Sequence, residues 1–137
     1  MKDGTTFNKA DFESLAEFRY QLRRFLHISE ALCKAESITP LQYQLMLQIK
    51  GYPGRSWALV GELAERLQLA QHGVVALVTR AEDAGLVTRV RADSDRRQVQ
   101  VHLTPLGSTR IRRLALLHRR ELQSLSKVLG RFDAAEA

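Results

Sequence analysis

The chain has 137 residues, 45% of them hydrophobic and 26% charged, which is the length and composition of one ordinary globular domain. No apolar run approaches the roughly 20 residues of a membrane-spanning helix, and the amino terminus lacks the apolar core of a secretion signal, so we expect a cytoplasmic protein that spans no membrane. The net charge of +6 indicates a polyanionic partner and leaves DNA, RNA and acidic membrane surfaces open.

A long first helix is predicted over residues 11–34. Its apolar residues recur at steps of three and four, the spacing of one helical stripe. They are Leu15, Phe18, Leu22 and Phe25. A helix of this length, about 36 Å at 1.5 Å per residue, exceeds what a small domain needs and is typical of one that reaches a partner subunit.

The second helix has a well-defined start. Thr39 offers a hydroxyl at the N-cap, Pro40 occupies the first helical position, and Gln42 occupies the third. This arrangement predicts a capping box. A loop over residues 51–54, which contains glycine and proline, ends this helix.

Two short helices follow. Leu59, Leu63 and Leu67 mark the third helix. After Leu69, four apolar residues at positions i, i+3, i+4 and i+7 mark the fourth, and Gly85 is placed to end it in a left-handed cap. These four are Val74, Leu77, Val78 and Ala81. The outward face would carry Gln71, His72, Val75, Ala76, Thr79 and Arg80.

The hydrophobic period then changes to two residues, which predicts a β-hairpin. Residues 86–91 and 98–103 form its strands, and the polar, charged residues 92–97 form its tip. Thr104 followed by Pro105 is a second N-cap and proline pair, so a helix begins there. Trp57 is predicted to pack beside the hairpin in a short third strand, with a place in a ligand pocket as the alternative.

The last helix is predicted over residues 105–132, with one nearly continuous apolar stripe. The stripe comprises Ile111, Leu114, Ala115, His118, Leu122, Leu125, Leu129 and Phe132. We expect little of the chain's own domain to be left to cover it, so that the first helix and the same elements of a second subunit would bury it. Surplus apolar helix surface therefore predicts a homodimer.

The order of these elements predicts a mainly α (α+β) winged helix-turn-helix fold in a single domain, residues 1–137. The winged helix-turn-helix core would occupy about 40–104, between dimerisation helices at about 11–34 and 105–132. In such a module the second short helix enters the DNA major groove. An arginine-bearing hairpin tip reaches phosphates or the minor groove.

Four short segments in this order resemble the MarR family of winged-helix regulators, and the resemblance extends over nearly the whole chain. They are Gly61-Glu62-Leu63-Ala64, Val74 through Arg80 with Ala84-Gly85-Leu86-Val87, Asp95-Arg96-Arg97, and Val101-His102-Leu103-Thr104-Pro105-Leu106-Gly107. The resemblance implies a homodimer that binds double-stranded DNA at a pseudo-palindromic operator. It also implies a repressor, which a small aromatic effector or an oxidant commonly releases from DNA.

The resemblance further implies which residues contact DNA. Arg97 matches the wing arginine that enters the minor groove, and Asp95 matches the acid that orients it through a charged hydrogen bond. Arg96 belongs to the same tip. The matching face of the recognition helix carries Gln71, His72, Ala76, Thr79 and Arg80.

Two residues of this helix depart from the family pattern. Ala70 stands where a serine-like cap is common. Gly73 lies inside the helix, where glycine costs about 1 kcal/mol relative to alanine, and it either lets DNA approach closely or is a tolerated weak point.

Two other functions stay open: a winged helix that binds an acidic protein, and a nucleoid protein that binds DNA of any sequence.

Other chemistry finds little support in the sequence. Cys33 is the only cysteine, which excludes an internal disulfide and a cysteine-built metal site. We expect it to pack in the core, with oxidant sensing as the alternative. The four histidines lack the spacing of metal ligands, and no nucleophile–base pair, phosphate loop or carboxylate pair stands out. We therefore expect no metal, no cofactor and no enzymatic activity.

Overall fold

The computed structural model describes the backbone of residues 4–92 and 95–136, together with the side chains of these ranges other than those of residues 92, 95–97, 128–129 and 131–136. In chain order the elements are α1 (Lys9–Ala35), α2 (Pro40–Lys50), β1 (Trp57–Leu59), α3 (Val60–Leu67), α4 (Gln71–Asp83), β2 (Val87–Ala92), β3 (Asp95–Leu103) and α5 (Pro105–Glu136). The fold is mainly helical with one small antiparallel sheet, which confirms the predicted winged-helix class.

The chain divides into two compact units. One comprises Cys33–Leu116 and contains α2, α3, α4 and the sheet. The other comprises Met1–Leu32 and Leu117–Ala137, and so contains most of α1 and the second half of α5. The core predicted for residues 40–104 lies inside the first unit.

Local capping decides where the first two helices begin. The amide of Gln42 donates to the Thr39 hydroxyl, and the amide of Thr39 donates to the Gln42 side chain, each over 3.1 Å. The capping box predicted for α2 is thereby confirmed. Asn8 and Asp11 exchange the same pair of hydrogen bonds, over 2.9 and 3.0 Å. This second reciprocal cap explains why α1 begins at Lys9 and not at residue 11, as the periodicity predicted.

Three helices end in the same way, with a residue of positive φ just beyond the last turn. These residues are Ser37, Gln68 and Gly85, with φ of 57°, 55° and 78°. After α4, the amide of Leu86 donates to the carbonyl of Ala81 and the amide of Gly85 donates to that of Glu82, both over 2.9 Å. This is a Schellman motif, and it confirms the left-handed cap predicted at Gly85.

The sheet has the strand order β1-β3-β2, with β3 in the centre. Trp57 pairs with His102, which confirms the short third strand predicted beside the hairpin. Leu59 was expected in the third helix, but it ends β1 opposite Gln100. Its backbone is extended, with φ −81° and ψ 153°, because it is the N-cap residue of α3. The helix itself therefore begins at Val60.

Apolar side chains of α2, α3, α4 and the sheet form the core of the Cys33–Leu116 unit. The fully buried ones include Leu45, Met46, Ile49, Leu63, Val74, Val78 and Val101. Cys33 is also buried, as expected for a packing residue. Burial, together with the nearby Cys33, raises the pKa of Tyr43 to about 12.

The first half of the apolar stripe of α5 is buried within the chain. Ile111, Leu114 and His118 are at most 2% exposed, whereas Leu122 is 47% exposed. His118 contacts Ser29 and Phe25 of α1, in agreement with the predicted pairing of this stripe with the first helix, while its burial by a second subunit stays a prediction. Among the described residues, no helix combines the length and the hydropathy that crossing a membrane requires.

Candidate nucleic-acid interface

The predicted recognition helix, α4, has one buried and one exposed face. Val74, Leu77, Val78 and Ala81 are at most 2% exposed, which confirms the predicted core stripe. The residues predicted to contact DNA from this helix are all exposed. They are Gln71, His72, Ala76, Thr79 and Arg80, joined by Val75 at 44% exposure. The exposed face thus offers polar, basic and small apolar groups together.

The start of α4 lacks a side-chain cap. Ala70 is the N-cap residue and makes no capping hydrogen bond from its side chain. Gly73 follows in the first turn, where a Cβ atom would have no neighbouring atom within 4 Å. The protein's own packing therefore does not require glycine at this position.

The predicted wing is the hairpin of β2 and β3. Its strands pair from Val87 opposite Leu103 to Ala92 opposite Asp95, with a register shift between Arg91 and Ala92. The backbone of residues 95–97 lies in β3. The side chains of Asp95, Arg96 and Arg97 lie outside the described part of the chain, as do residues 93 and 94. The orientation of Arg97 by Asp95 stays a prediction.

Arg89, in β2, joins the base of the wing to α4. One nitrogen of its guanidinium, Nη1, lies 2.8 Å from a carboxylate oxygen of Glu82, and its backbone amide donates to the other oxygen over 3.0 Å. Its Nη2 donates to the hydroxyl of Thr79 over 2.6 Å and to the carbonyl of Val75 over 3.1 Å. Arg89 therefore contacts α4 at three successive turns.

The sequence interpretation missed this role of Arg89. It placed the residue on a strand and assigned no partner to it. The available signal was an acid in the last turn of a helix and an arginine early in the next strand, with a left-handed glycine turn between them. That spacing, Glu82 to Arg89 around Gly85, brings the two side chains together once the chain reverses.

A second polar cluster holds the start of α3. Glu62 accepts hydrogen bonds from the Arg55 guanidinium, from the Tyr52 hydroxyl over 2.8 Å and from the Leu59 amide over 2.8 Å. The Arg55 guanidinium also lies between two rings, 4.3 Å from the centroid of Tyr52 and 4.0 Å from that of Trp57. Glu62 thus ties the preceding loop and β1 to the first helix of the helix-turn-helix.

These contacts determine the charge state of Glu62. Burial alone would raise the pKa of its carboxyl, but hydrogen bonds from Arg55, Leu59 and Tyr52 stabilise the carboxylate and hold the pKa below its ordinary value. The hydrogen bond to Glu62 raises the pKa of the Tyr52 phenol. The Glu62 side chain is therefore a carboxylate at neutral pH, and the Arg55 guanidinium forms an ion pair with it.

The end of α4 and the start of α5 are joined at one corner. The Thr104 hydroxyl donates to the carbonyl of Gly85 over 2.6 Å and accepts from the amide of Gly107 over 3.0 Å. The Thr104 amide donates to the carbonyl of Leu86 over 3.1 Å. The predicted N-cap at Thr104 thus also connects the end of α4 to the start of α5.

Histidine and cysteine chemistry forms no further site in the described part of the chain. No group of three or more His, Cys, Asp or Glu residues there is arranged to bind a metal ion. His118 is 1% exposed, its Nε2 lies 2.8 Å from the hydroxyl of Ser29, and its ring lies beside Phe25. It is a packed histidine within the unit formed by the two chain ends.

A model of the MarR family matches residues 37–98. A putative transcriptional regulatory protein for the hcr operon of Thauera aromatica is 28% identical over 112 residues, which are 82% of this chain and 66% of that protein. The matched part of the chain thus spans just under two thirds of that relative's length.

Solved structures share the same fold. AbsC, a MarR family transcriptional regulator from Streptomyces coelicolor, has a TM-score of 0.77 at 20% identity, covering 95% of this chain and 91% of that one. A mutant of S. aureus MepR bound to an oligodeoxyribonucleotide has a TM-score of 0.67 at 17% identity, covering 89% of this chain and 84% of that one. Family model, relative and fold agree: residues 37–98 match the MarR family, and the chain shares the winged-helix fold of solved MarR family regulators.

Proposed function

We propose that this protein is a transcriptional regulator that binds double-stranded DNA at specific sequences as a homodimer. One observation carries the proposal: α4 buries one face completely and exposes polar, basic and small apolar side chains on the other. A helix built in this way, followed by a hairpin, is the arrangement that places side chains against base edges in the major groove. MepR, whose fold is similar, is bound to an oligodeoxyribonucleotide in its solved structure.

Electrostatics supply most of the affinity in this proposal. The net charge of +6 attracts the phosphate backbone, and each phosphate contact by lysine or arginine releases counterions. Arg80 on the exposed face of α4 and Arg97 in the wing are the basic side chains assigned to DNA. Gln71 and His72 open α4 and would read base edges, while Val75 and Ala76 would contact thymine methyl groups.

Exposed apolar side chains support the homodimer. Each of the following is between 43% and 58% exposed: Phe12, Leu15, Tyr20 and Leu26 in α1, and Leu116, Leu117 and Leu122 in α5. Large apolar residues in this number on two long helices are typical of an interface. A two-fold dimer would then present two copies of α4 to half-sites about one helical turn apart.

The proposal extends to repression in the cytoplasm, with release from DNA by a small aromatic effector. These finer points rest on the family alone. The description of the Thauera aromatica relative as a regulatory protein for an operon supports control of a small set of genes.

Binding to fragmented genomic DNA of the host organism tests the proposal. Purified protein is mixed with the fragments, the salt concentration is raised in steps, and the retained DNA is sequenced. We expect a few promoter fragments that share an inverted repeat, because specific binding commonly exceeds non-specific binding by 10³-fold or more. Uniform loss of all fragments would indicate a general nucleoid protein. No retention at low salt would favour a winged helix that binds an acidic protein.

A further inference from the structure

The hydroxyl of Thr79 makes two hydrogen bonds of opposite sense within the protein. It donates its proton to the carbonyl of Val75, one helical turn earlier, over 3.0 Å. It accepts a hydrogen bond from Nη2 of Arg89 over 2.6 Å. Thr79 is nevertheless exposed, on the face of α4 predicted to meet DNA.

Arg89 decides the direction of this hydroxyl proton. A guanidinium can only donate, so the threonine oxygen must present a lone pair to it and turn its proton elsewhere. The carbonyl of Val75 receives that proton. A threonine hydroxyl has one proton and two lone pairs, and with one of each occupied, a single lone pair is left for an outside group.

Glu82 keeps the guanidinium in place. Its carboxylate binds both the Nη1 nitrogen and the backbone amide of Arg89, over 2.8 and 3.0 Å. Two contacts to one carboxylate restrict the side chain at its base and at its tip. Charge-assisted hydrogen bonds of this kind are about twice as strong as neutral ones. The arginine is therefore held against Thr79 before any DNA arrives.

We propose that Arg89 makes Thr79 a hydrogen-bond acceptor only, so that Thr79 selects an exocyclic amino group of adenine or cytosine in the major groove. In that groove the donors are the N6 amino group of adenine and the N4 amino group of cytosine, whereas N7, O6 of guanine and O4 of thymine accept. A threonine that could rotate would serve both kinds of group. Arg89 is thus a positioning residue for base selection, and this inference rests on the proposed function.

Deletion of single amino groups from the operator tests the inference. Selection from random duplexes with the wild-type protein and with Thr79→Val identifies the base pair whose preference the variant loses. At that position, adenine is replaced by purine or cytosine by 2-pyrimidinone, which removes only the amino group. We expect the wild type to lose about 3- to 10-fold in affinity, the size of one net hydrogen bond, and Thr79→Val to lose nothing further. Thr79→Ser, which keeps the hydroxyl, should behave as the wild type.

Two arginine variants distinguish the effect of Arg89 on the direction of the Thr79 hydroxyl proton from the effect of its positive charge. Arg89→Met removes the donor that occupies one lone pair of the Thr79 oxygen, so the hydroxyl can turn its proton from the Val75 carbonyl toward an acceptor on a base. The affinity difference between intact and amino-deleted operators should then shrink to less than about 2-fold. Arg91→Met, on the same strand and exposed, removes the same charge and should leave that difference unchanged. Arg89→Met could instead weaken binding to all duplexes equally and reduce the slope of log affinity against log salt concentration by about one. In that case Arg89 contacts a phosphate and the inference is wrong.

The outcomes distinguish this inference from the proposed function. A wild-type protein that selects no sequence at all would overturn the function, and the inference with it. A wild-type protein that selects an operator, but binds amino-deleted operators as tightly as intact ones at the Thr79-dependent position, would overturn the inference alone. The same holds if Thr79→Val changes no base preference.

Discussion

Gly107 packs directly against the backbone of Leu86: a Cβ atom at residue 107 would lie 2.0 Å from the Leu86 carbonyl oxygen. This contact joins the first turn of α5 to the residue that follows the Gly85 cap of α4. Together with the hydrogen bonds of Thr104, it explains why the chain has threonine at position 104 and glycine at position 107. The end of α4 and the start of α5 are thus in direct contact.

Gly107→Ala should destabilise the protein by about 2–3 kcal/mol, because the added methyl group meets backbone that must move. Urea unfolding followed by circular dichroism measures the change. Gly61→Ala in α3 is the matched control, since its Cβ would meet no atom within 4 Å. An equal effect of the two variants would contradict the close contact between Gly107 and Leu86.

Gln68→Gly should stabilise the protein by about 1 kcal/mol. Gln68 ends α3 with φ of 55°, a conformation that costs a residue with a Cβ atom about that much. The reverse change, Gly85→Ala, should cost a similar amount, because alanine would have to adopt the φ of 78° found at this position. A steric clash would not add to this cost, since the new Cβ would meet only a methyl carbon of Leu106 at 3.7 Å. Both changes are measured by thermal unfolding. A loss of stability in Gln68→Gly would show that the hydrogen bond from the Gln68 side chain to the Glu65 carbonyl contributes more than the positive φ costs.

Glu62→Gln should destabilise the protein more at pH 7 than at low pH. The folded-state pKa of Glu62 lies below its ordinary value, so its carboxylate adds stability above about pH 4.5. That stability is lost as the pH falls through the lower pKa of the folded state. Unfolding measured at several pH values between 3 and 7 should show the gap between variant and wild type closing. Glu65→Gln, the same substitution at an exposed position of the same helix, is the control for the change of net charge.

Gly73→Ala should raise the free energy of unfolding by about 0.5–1 kcal/mol and lower DNA affinity. The gain follows from the lower backbone entropy of the unfolded chain, since the methyl group has open space around it. The protein does not need glycine here, so we expect DNA to be the neighbour that does. Unfolding and operator binding are measured on the same preparation. Unchanged affinity would make Gly73 a tolerated weak point of α4.

Arg97→Ala should weaken operator binding at least about 10-fold while the melting temperature stays nearly constant. We predict from the family resemblance that Arg97 enters the narrow minor groove, so that its loss removes a DNA contact and leaves the core unchanged. The affinity should be measured at several salt concentrations, with Arg112→Ala, exposed on α5, as the control for lost charge. Wild-type binding by Arg97→Ala would mean that the wing assignment is wrong.

Much of the secondary structure follows from interactions within one or two helical turns, and the sequence predicts these well. Three features involve residues at most seven positions apart: the capping box of Thr39 and Gln42, the glycine cap at Gly85 and the buried stripe of α4. Hydrophobic period and capping chemistry act at that range, so they can be recognised without knowing the fold. The exposed face of α4 follows from the same pattern.

Tertiary structure decided the features in which one residue meets a partner from another element. Leu59 ends β1 and does not begin α3 because it pairs with β3, and Ile111 and Leu114 are buried because the rest of the chain covers them. Arg89 and Thr79 are ten residues apart and meet only after the chain reverses at Gly85. Periodicity places each of them on a face, but hydrogen bonds between side chains depend on how helix and strand approach each other in space. The exposed face of α4 was therefore predictable from the sequence, whereas the direction of the Thr79 hydroxyl proton was not.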